Sequence, residues 1–203
     1  EGILQGDHLK IDETPIKAGR TTTHSGARAG QGKMKTGWLW PVLGENGDIA
    51  FGYSDQRGAL AVKAFLGEAY KGTIQTDGYR VYADYAAKLP GCIHALCWSH
   101  TRRAFLKAEA SDKAVVDQAL ERIRALYAIE RRLKAGASDD AMIIEIRHKE
   151  SRPDVAKFFA WIDKQIQDPS LTPKSPLAKA LAYAKEREAG LKVFLTDPWL
   201  DLD

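Results

Sequence analysis

Two rhythms divide this chain, and they limit what it can fold into more than any single motif does. Up to about residue 100 the segments are short, rich in β-branched and aromatic residues and punctuated by glycine, the pattern of strands with a few helices between them. From about residue 111 apolar residues recur at helical spacing, as Val116, Leu120, Ile123 and Tyr127 do, with Ser111 expected to cap the run and Gly136 to stop it. The expected class is α/β, with the sheet first and most of the helix after it.

The first region resolves into an order of elements. "GDHLKID" reads as a first strand, with Leu9 and Ile11 on one face and Asp12 on the other. "TGWLWPVLG" and "DIAFGYS" read as the second and third, made antiparallel neighbours by "ENGD", whose Asn46-Gly47 pair suits a tight hairpin turn. Pro41 predicts that the second strand is interrupted or near an edge, because proline cannot donate to a ladder. "RGALAVKAFLGEAY" is an amphipathic helix, "GTIQTDG" a fourth strand, "YRVYADYAAKL" a short helix and "GCIHALCWS" a fifth strand, with a helix from about "HTRRAFLKA". Beyond it, "SDDAMIIEIRHKE" and "DVAKFFAWIDKQIQ" read as helices, the second opening just after Pro153, and "DPSLTPKSP" as a linker. A last helix starts with Pro176 in its first turn and is interrupted only at Gly190.

Three antiparallel strands followed by two helix-connected, parallel ones is the plan of the ribonuclease H-like fold, a mixed sheet flanked by helices. In that plan the first and fourth strands are neighbours at the centre of the sheet, so Asp12 and Asp77 emerge side by side. Two adjacent carboxylates repel unless a divalent cation neutralises them. Mg²⁺ suits such a pair because it takes carboxylate oxygens and leaves room for waters and phosphates. Glu13 points to the opposite face and is the weaker ligand, while Asp7 and Asp84 read as solvated. An aspartate before Gly78 also makes turns on its own account; the pairing with Asp12 in this strand order favours the site.

Composition excludes some classes and leaves others open. With 44% hydrophobic and 28% charged residues the chain is an ordinary globular protein, and a net charge of +3 permits a nucleic-acid partner without requiring one. Cys92 and Cys97 are the two cysteines, too few for a disulfide framework, so a reducing cytoplasm is expected. No apolar run approaches a membrane span, and the opening residues lack the pattern of a signal peptide. A chain that begins at Glu1 reads as a fragment or a processed product.

"IDETPIK" with Asp12, "GKMKTGWLW" from Gly32, "TDGYRVY" with Asp77 and "CWSHTRRAF" from Cys97, followed by "SPLAKALAYA" and "FLTDPWLDLD", resemble the insertion-sequence-66 family of bacterial transposases, in the family's order and over nearly the whole chain. The resemblance implies a ribonuclease H-like DDE catalytic domain that uses two Mg²⁺ (or Mn²⁺) ions to cut and join double-stranded DNA at mobile-element ends and target sites. Asp12 would be the first acid and Asp77 the second. The third, a glutamate, would follow an Asn-Asn pair directly after "LDLD", so a chain ending at Asp203 is expected to lack it and to be inactive by itself. The implied division is a catalytic core over 1–110, a helical insertion after the fifth strand over 111–172, and a C-terminal helix over 173–203. Assembly as a homo-oligomer on DNA and a place in the bacterial cytoplasm, at the nucleoid when bound, follow from the same resemblance.

Other readings stand beside it. Cys92, His94, Cys97 and His100 are candidate zinc ligands, although on a continuous strand Cys92 and His94 face one way and Cys97 the other. The Cys97-x-x-His100 spacing resembles a signature of several transposase groups that would put His100 near the phosphates. Arg102, Arg103, Lys33 and Lys35 are candidate phosphate contacts. Trp38, Trp40 and Trp98 read as core before they read as base-stacking platforms. The alternatives to a transposase are a non-catalytic DNA-binding or assembly module and a ribonuclease H-like nuclease or resolvase.

Overall fold

A computed structural model describes residues 2–20, 34–136 and 139–203 of the protein. The chain packs as two units, residues 1–94 and 95–203.

In the first unit, β1 covers His8–Ile11, but the chain does not turn away after Asp12. It runs on as β2, Thr14–Arg20, a strand not expected from the sequence. Both strands lie along one edge of β3, Met34–Gly44, in one antiparallel register as far as Lys17, Ile11 opposite Val42 and Thr14 opposite Leu39, with a shift between Lys17 and Arg20. Asp12 and Glu13 form the gap between them. Pro41 explains the gap: the Asp12 N–H donates to the Pro41 carbonyl at 3.4 Å, but proline has no N–H to return the second bond of the pair. The expected effect of Pro41 therefore falls on the facing strand. β3 itself is unbroken and central, with β4, Ile49–Ser54, on its other side.

The Asn46-Gly47 turn closes the β3–β4 hairpin as expected. The Gly44 N–H donates to the Asp48 carbonyl at 2.8 Å, and Gly47 takes a φ of 82° that glycine adopts without strain. Helix α1, Ala59–Leu66, stops at Gly67, and β5, Gly72–Thr76, runs parallel to β1 with Leu9 opposite Ile74 and Lys10 opposite Gln75. Helix α2, Arg80–Ala86, leads to β6, Cys92–Leu96. The sheet order is β2-β3-β1-β5-β6, with β4 paired to β3. This six-stranded mixed sheet with its helices fits the ribonuclease H-like plan.

Leu9, Ile11, Trp40, Val42, Val62, Leu66, Ile74 and Tyr82 form the buried cluster of this unit. Trp40 packs on Phe65 at 5.6 Å between ring centres and edge-on to Tyr82 at 6.3 Å. Gly52 makes room for that contact, since a Cβ there would stand 2.2 Å from the Phe65 ring. Trp40 and Trp98 are fully buried, as core packing requires, whereas Trp38 is half-buried.

The second unit is helical: α3 Trp98–Leu106, α4 Lys113–Ala135, α5 Asp140–Ile146, α6 Arg152–Ile166, α7 Pro176–Glu186 and α8 Glu188–Leu191. Asp112, not Ser111, caps α4, accepting from the Val115 N–H at 3.1 Å. Pro153 does not separate two helices. Residues 147–151 form a π-helical turn that joins α5 to α6, and Pro153 falls in the first turn of α6, where a missing N–H costs little. The last helix breaks at Arg187, three residues before Gly190.

Trp98, Phe105, Phe158, Phe159 and Phe194 lie in the buried cluster of this unit. Arg147 is buried beside it and uses all five of its N–H donors. Nε and Nη2 donate to Glu130 at 2.9 and 2.6 Å, Nη1 to the carbonyls of Phe194 and Asp197, and Nη2 also to that of Leu200. Asp203 caps α3 from a distance in sequence, its carboxylate accepting from the Ser99 N–H at 3.1 Å and from the Tyr127 hydroxyl. No helix among the described residues is long and apolar enough to cross a membrane.

Candidate active site

Register brings Asp12 and Asp77 together. Lys10 of β1 stands opposite Gln75 of β5, and two residues further along each strand are Asp12 and Asp77, level with each other just past the paired residues of two adjacent parallel strands. Local bonds hold both. The Glu13 N–H donates to Asp12 Oδ1 at 2.9 Å, and the Tyr79 N–H to Asp77 Oδ1 at 2.8 Å. The second bond is an Asx turn that opens α2, assisted by Gly78 at a φ of 90°. Asp77 thus has a turn role of its own. Beneath it, Thr76 Oγ1 accepts from the Gly78 N–H at 3.2 Å and lies 2.9 Å from His94 Nε2.

Asp12 is exposed and Asp77 half-buried. Asp12 Oδ2 accepts no hydrogen bond among the described residues. Hard oxygen donors of this kind suit a divalent cation such as Mg²⁺ or Mn²⁺. No third carboxylate, histidine or cysteine joins the pair in a metal-binding group among the described residues. Nor do Cys92, His94, Cys97 and His100 converge into one.

Glu13 is on the opposite face from Asp12, as strand alternation requires, and it is not idle there. Its side chain is fully buried and receives Arg57 Nε at 2.8 Å and Nη2 at 2.5 Å on Oε1, and the Tyr82 hydroxyl at 2.5 Å on Oε2. Burial lifts its carboxyl above the ordinary glutamate value; the bonds from Tyr82 and Arg57 pull it down but do not cancel the effect, and Asp77 adds to it. The Arg57 guanidinium lies 4.0 Å from the Tyr79 ring centre and 4.9 Å from that of Trp38. Neither Arg57 nor Tyr82 stands out in the sequence as a site residue. Tyr82 carries a signal, five residues after Asp77 and on the inner face of α2, whereas Arg57 reads only as the opening residue of the helical segment "RGALAVKAFLGEAY".

The candidate DNA contacts belong to both units. Arg102 and Arg103 are exposed on α3, with Arg103 Nη2 2.5 Å from Nε2 of the half-buried His100. Lys35 is paired with Asp55 at 2.5 Å, and Asp55 also accepts from the Tyr53 hydroxyl at 2.6 Å. Lys33 lies outside the described residues, as does Gly32 at the head of the "GKMKTGWLW" motif.

Comparison with known proteins adds a family to this geometry. The model of the family described as Transposase IS66 matches residues 1–203. Two curated proteins of Sinorhizobium fredii (strain NBRC 101917 / NGR234) are similar. Uncharacterized protein y4qI is 27% identical over 224 residues, covering 100% of this chain and 38% of its own length. Uncharacterized protein y4jD is 26% identical over 163 residues, covering 76% of this chain and 30% of its own length. The chain therefore spans less than two fifths of either relative. No solved structure matches it.

Proposed function

The chain belongs to the IS66 family of transposases, and we propose that it supplies Asp12 and Asp77 as the first two acids of a metal-dependent polynucleotidyl transferase that cuts and joins DNA at mobile-element ends. The observation that carries this reading is the level placement of the two aspartates past adjacent central strands. Bound Mg²⁺ or Mn²⁺ would activate the attacking water or 3′-hydroxyl and stabilise the leaving oxygen. The chain's own backbone holds the two carboxylates still for that chemistry. The Glu13 N–H orients Asp12, and the Tyr79 N–H orients Asp77.

With no third ligand joining the pair among the described residues, this chain by itself binds a first ion weakly and cuts DNA inefficiently. The same observation favours a second reading, a non-catalytic DNA-binding or assembly module. Strand transfer by a 3′-hydroxyl separates the transferase from a hydrolytic nuclease or resolvase. The partner is double-stranded DNA, with Arg102, Arg103, His100, Lys33 and Lys35 as phosphate contacts and Lys35 exchanging Asp55 for a phosphate. The protein acts in the bacterial cytoplasm, at the nucleoid, as a homo-oligomer on DNA. The division into a core over 1–110, a helical insertion over 111–172 and a C-terminal segment over 173–203 belongs to the same proposal.

Calorimetric titration with Mn²⁺ tests it. Wild type should bind, and Asp12→Asn and Asp77→Asn should each abolish binding while leaving the melting transition in place. Equal binding by all three proteins would remove the metal from the aspartates and leave the non-catalytic reading.

A further inference from the structure

Within electrostatic reach of Asp77 lies a group that the proposed metal chemistry does not use. Arg57 follows β4 in the chain, and it touches the neighbours of both acids. It grips Glu13, the residue after Asp12, and its Cζ lies 4.0 Å from the ring centre of Tyr79, whose N–H orients Asp77. Trp38 flanks it as well. Glu13 is itself held from behind by Tyr82.

An arginine that served only to neutralise Glu13 would have no need of this setting. The bonds to Glu13 use Nε and one N–H of Nη2, and Nη1 has no acceptor among the described residues. A third of the side chain, 36%, stays exposed, while that of Glu13 is completely covered. The planar fork is fixed at one edge by a carboxylate and packed against two rings, and its Nη1 donors take no acceptor among the described residues. Such a fork, with little rotamer freedom left to lose, matches the geometry of a phosphate.

Resting on the reading of Asp12 and Asp77 as metal ligands, we propose that Arg57 grips a backbone phosphate of the DNA at this site, with Glu13 and Tyr82 as positioning residues that hold its guanidinium in place. Two carboxylates repel a phosphodiester approaching them. A fixed cation close enough to Asp77 to feel its charge offsets part of that repulsion and sets where the strand lies.

The test is anisotropy of a short fluorescein-labelled duplex in EDTA, run over a series of salt concentrations, with Mn²⁺ titration as a separate measurement on each protein. Arg57→Ala should weaken DNA binding roughly tenfold and lower the slope of log K against log salt by about 0.9, with Mn²⁺ binding kept. Arg57→Lys, which preserves the charge and guards against a variant that fails to fold, should keep the slope and lose part of the affinity. Glu13→Gln and Tyr82→Phe should weaken binding by less, again with the slope kept. DNA binding and slope unchanged in Arg57→Ala, with Mn²⁺ bound as in wild type, overturn the role of Arg57 and leave the aspartates standing. A wild type that binds no Mn²⁺ overturns the metal reading, and the active-site role of Arg57 with it.

Discussion

Two glutamate–arginine pairs, one in each unit, put similar chemistry to different uses. Glu130–Arg147 is closed: the two side chains are 8% and 3% exposed, and all five arginine donors end on protein oxygens. Glu13–Arg57 is half open, with a fully buried acid and an arginine whose side chain stays 36% exposed. In the closed pair the arginine ties together three carbonyls of the chain between Phe194 and Leu200. In the open pair the acid serves the arginine. What distinguishes a structural cation from a binding one is the number of donors left over, and neither residue type nor burial of the partner acid decides it.

Breaking the closed pair should have the largest effect. Arg147→Ala leaves Glu130 buried without its partner and three carbonyls without a donor, a loss of about 3–5 kcal/mol, read as a lowered denaturation midpoint. DNA affinity of the protein that remains folded should not change. The matching substitution in the open pair should cost less stability and more binding. Because solvent screens part of that pair, Arg57→Ala should destabilise by only about 1–2 kcal/mol, measured in the same denaturant series. Tyr82→Phe removes one neutral donor to Glu13 and should cost about 1 kcal/mol, the Trp40 contact being retained.

The smallest effect is one of pH. Burial raises the folded-state value of Glu13, so folding favours its protonated form. That contribution to stability is fully present below the ordinary glutamate value of about 4.3 and is lost as pH rises through the folded value. The stability of wild type relative to Glu13→Gln should therefore decline as pH rises through that window. Melting both proteins across it checks the sign, and an advantage that grew with pH would mean that Arg57 outweighs burial.

Where one short segment sets the geometry, the sequence is legible. The Asn46-Gly47 hairpin, the strand "GTIQT" and its parallel pairing with β1 follow from local pattern and strand order. β2 is hidden because Pro15 and a lysine-containing run obscure alternation, and because a carboxylate followed by another acid reads as the end of a strand. The gap at Asp12 and Glu13 depends on Pro41 in a different strand, which no local pattern can reveal. Pro153 starts a helix just as it begins the α6 segment, so the π-helical turn that joins α6 to α5 leaves no separate mark. The cluster around Arg57 draws on residues 13, 38, 57, 79 and 82, each ordinary in its own segment. Contacts that depend on four segments meeting can be read only once the sheet is assembled.

The central claim is that Asp12 and Asp77 share a divalent ion. Crystals grown with Mn²⁺ and measured at its absorption edge test it most directly. An anomalous peak within bonding distance of both carboxylates is the expected result. A peak elsewhere, or carboxylates that each face away from an otherwise well-ordered sheet edge, would contradict the account.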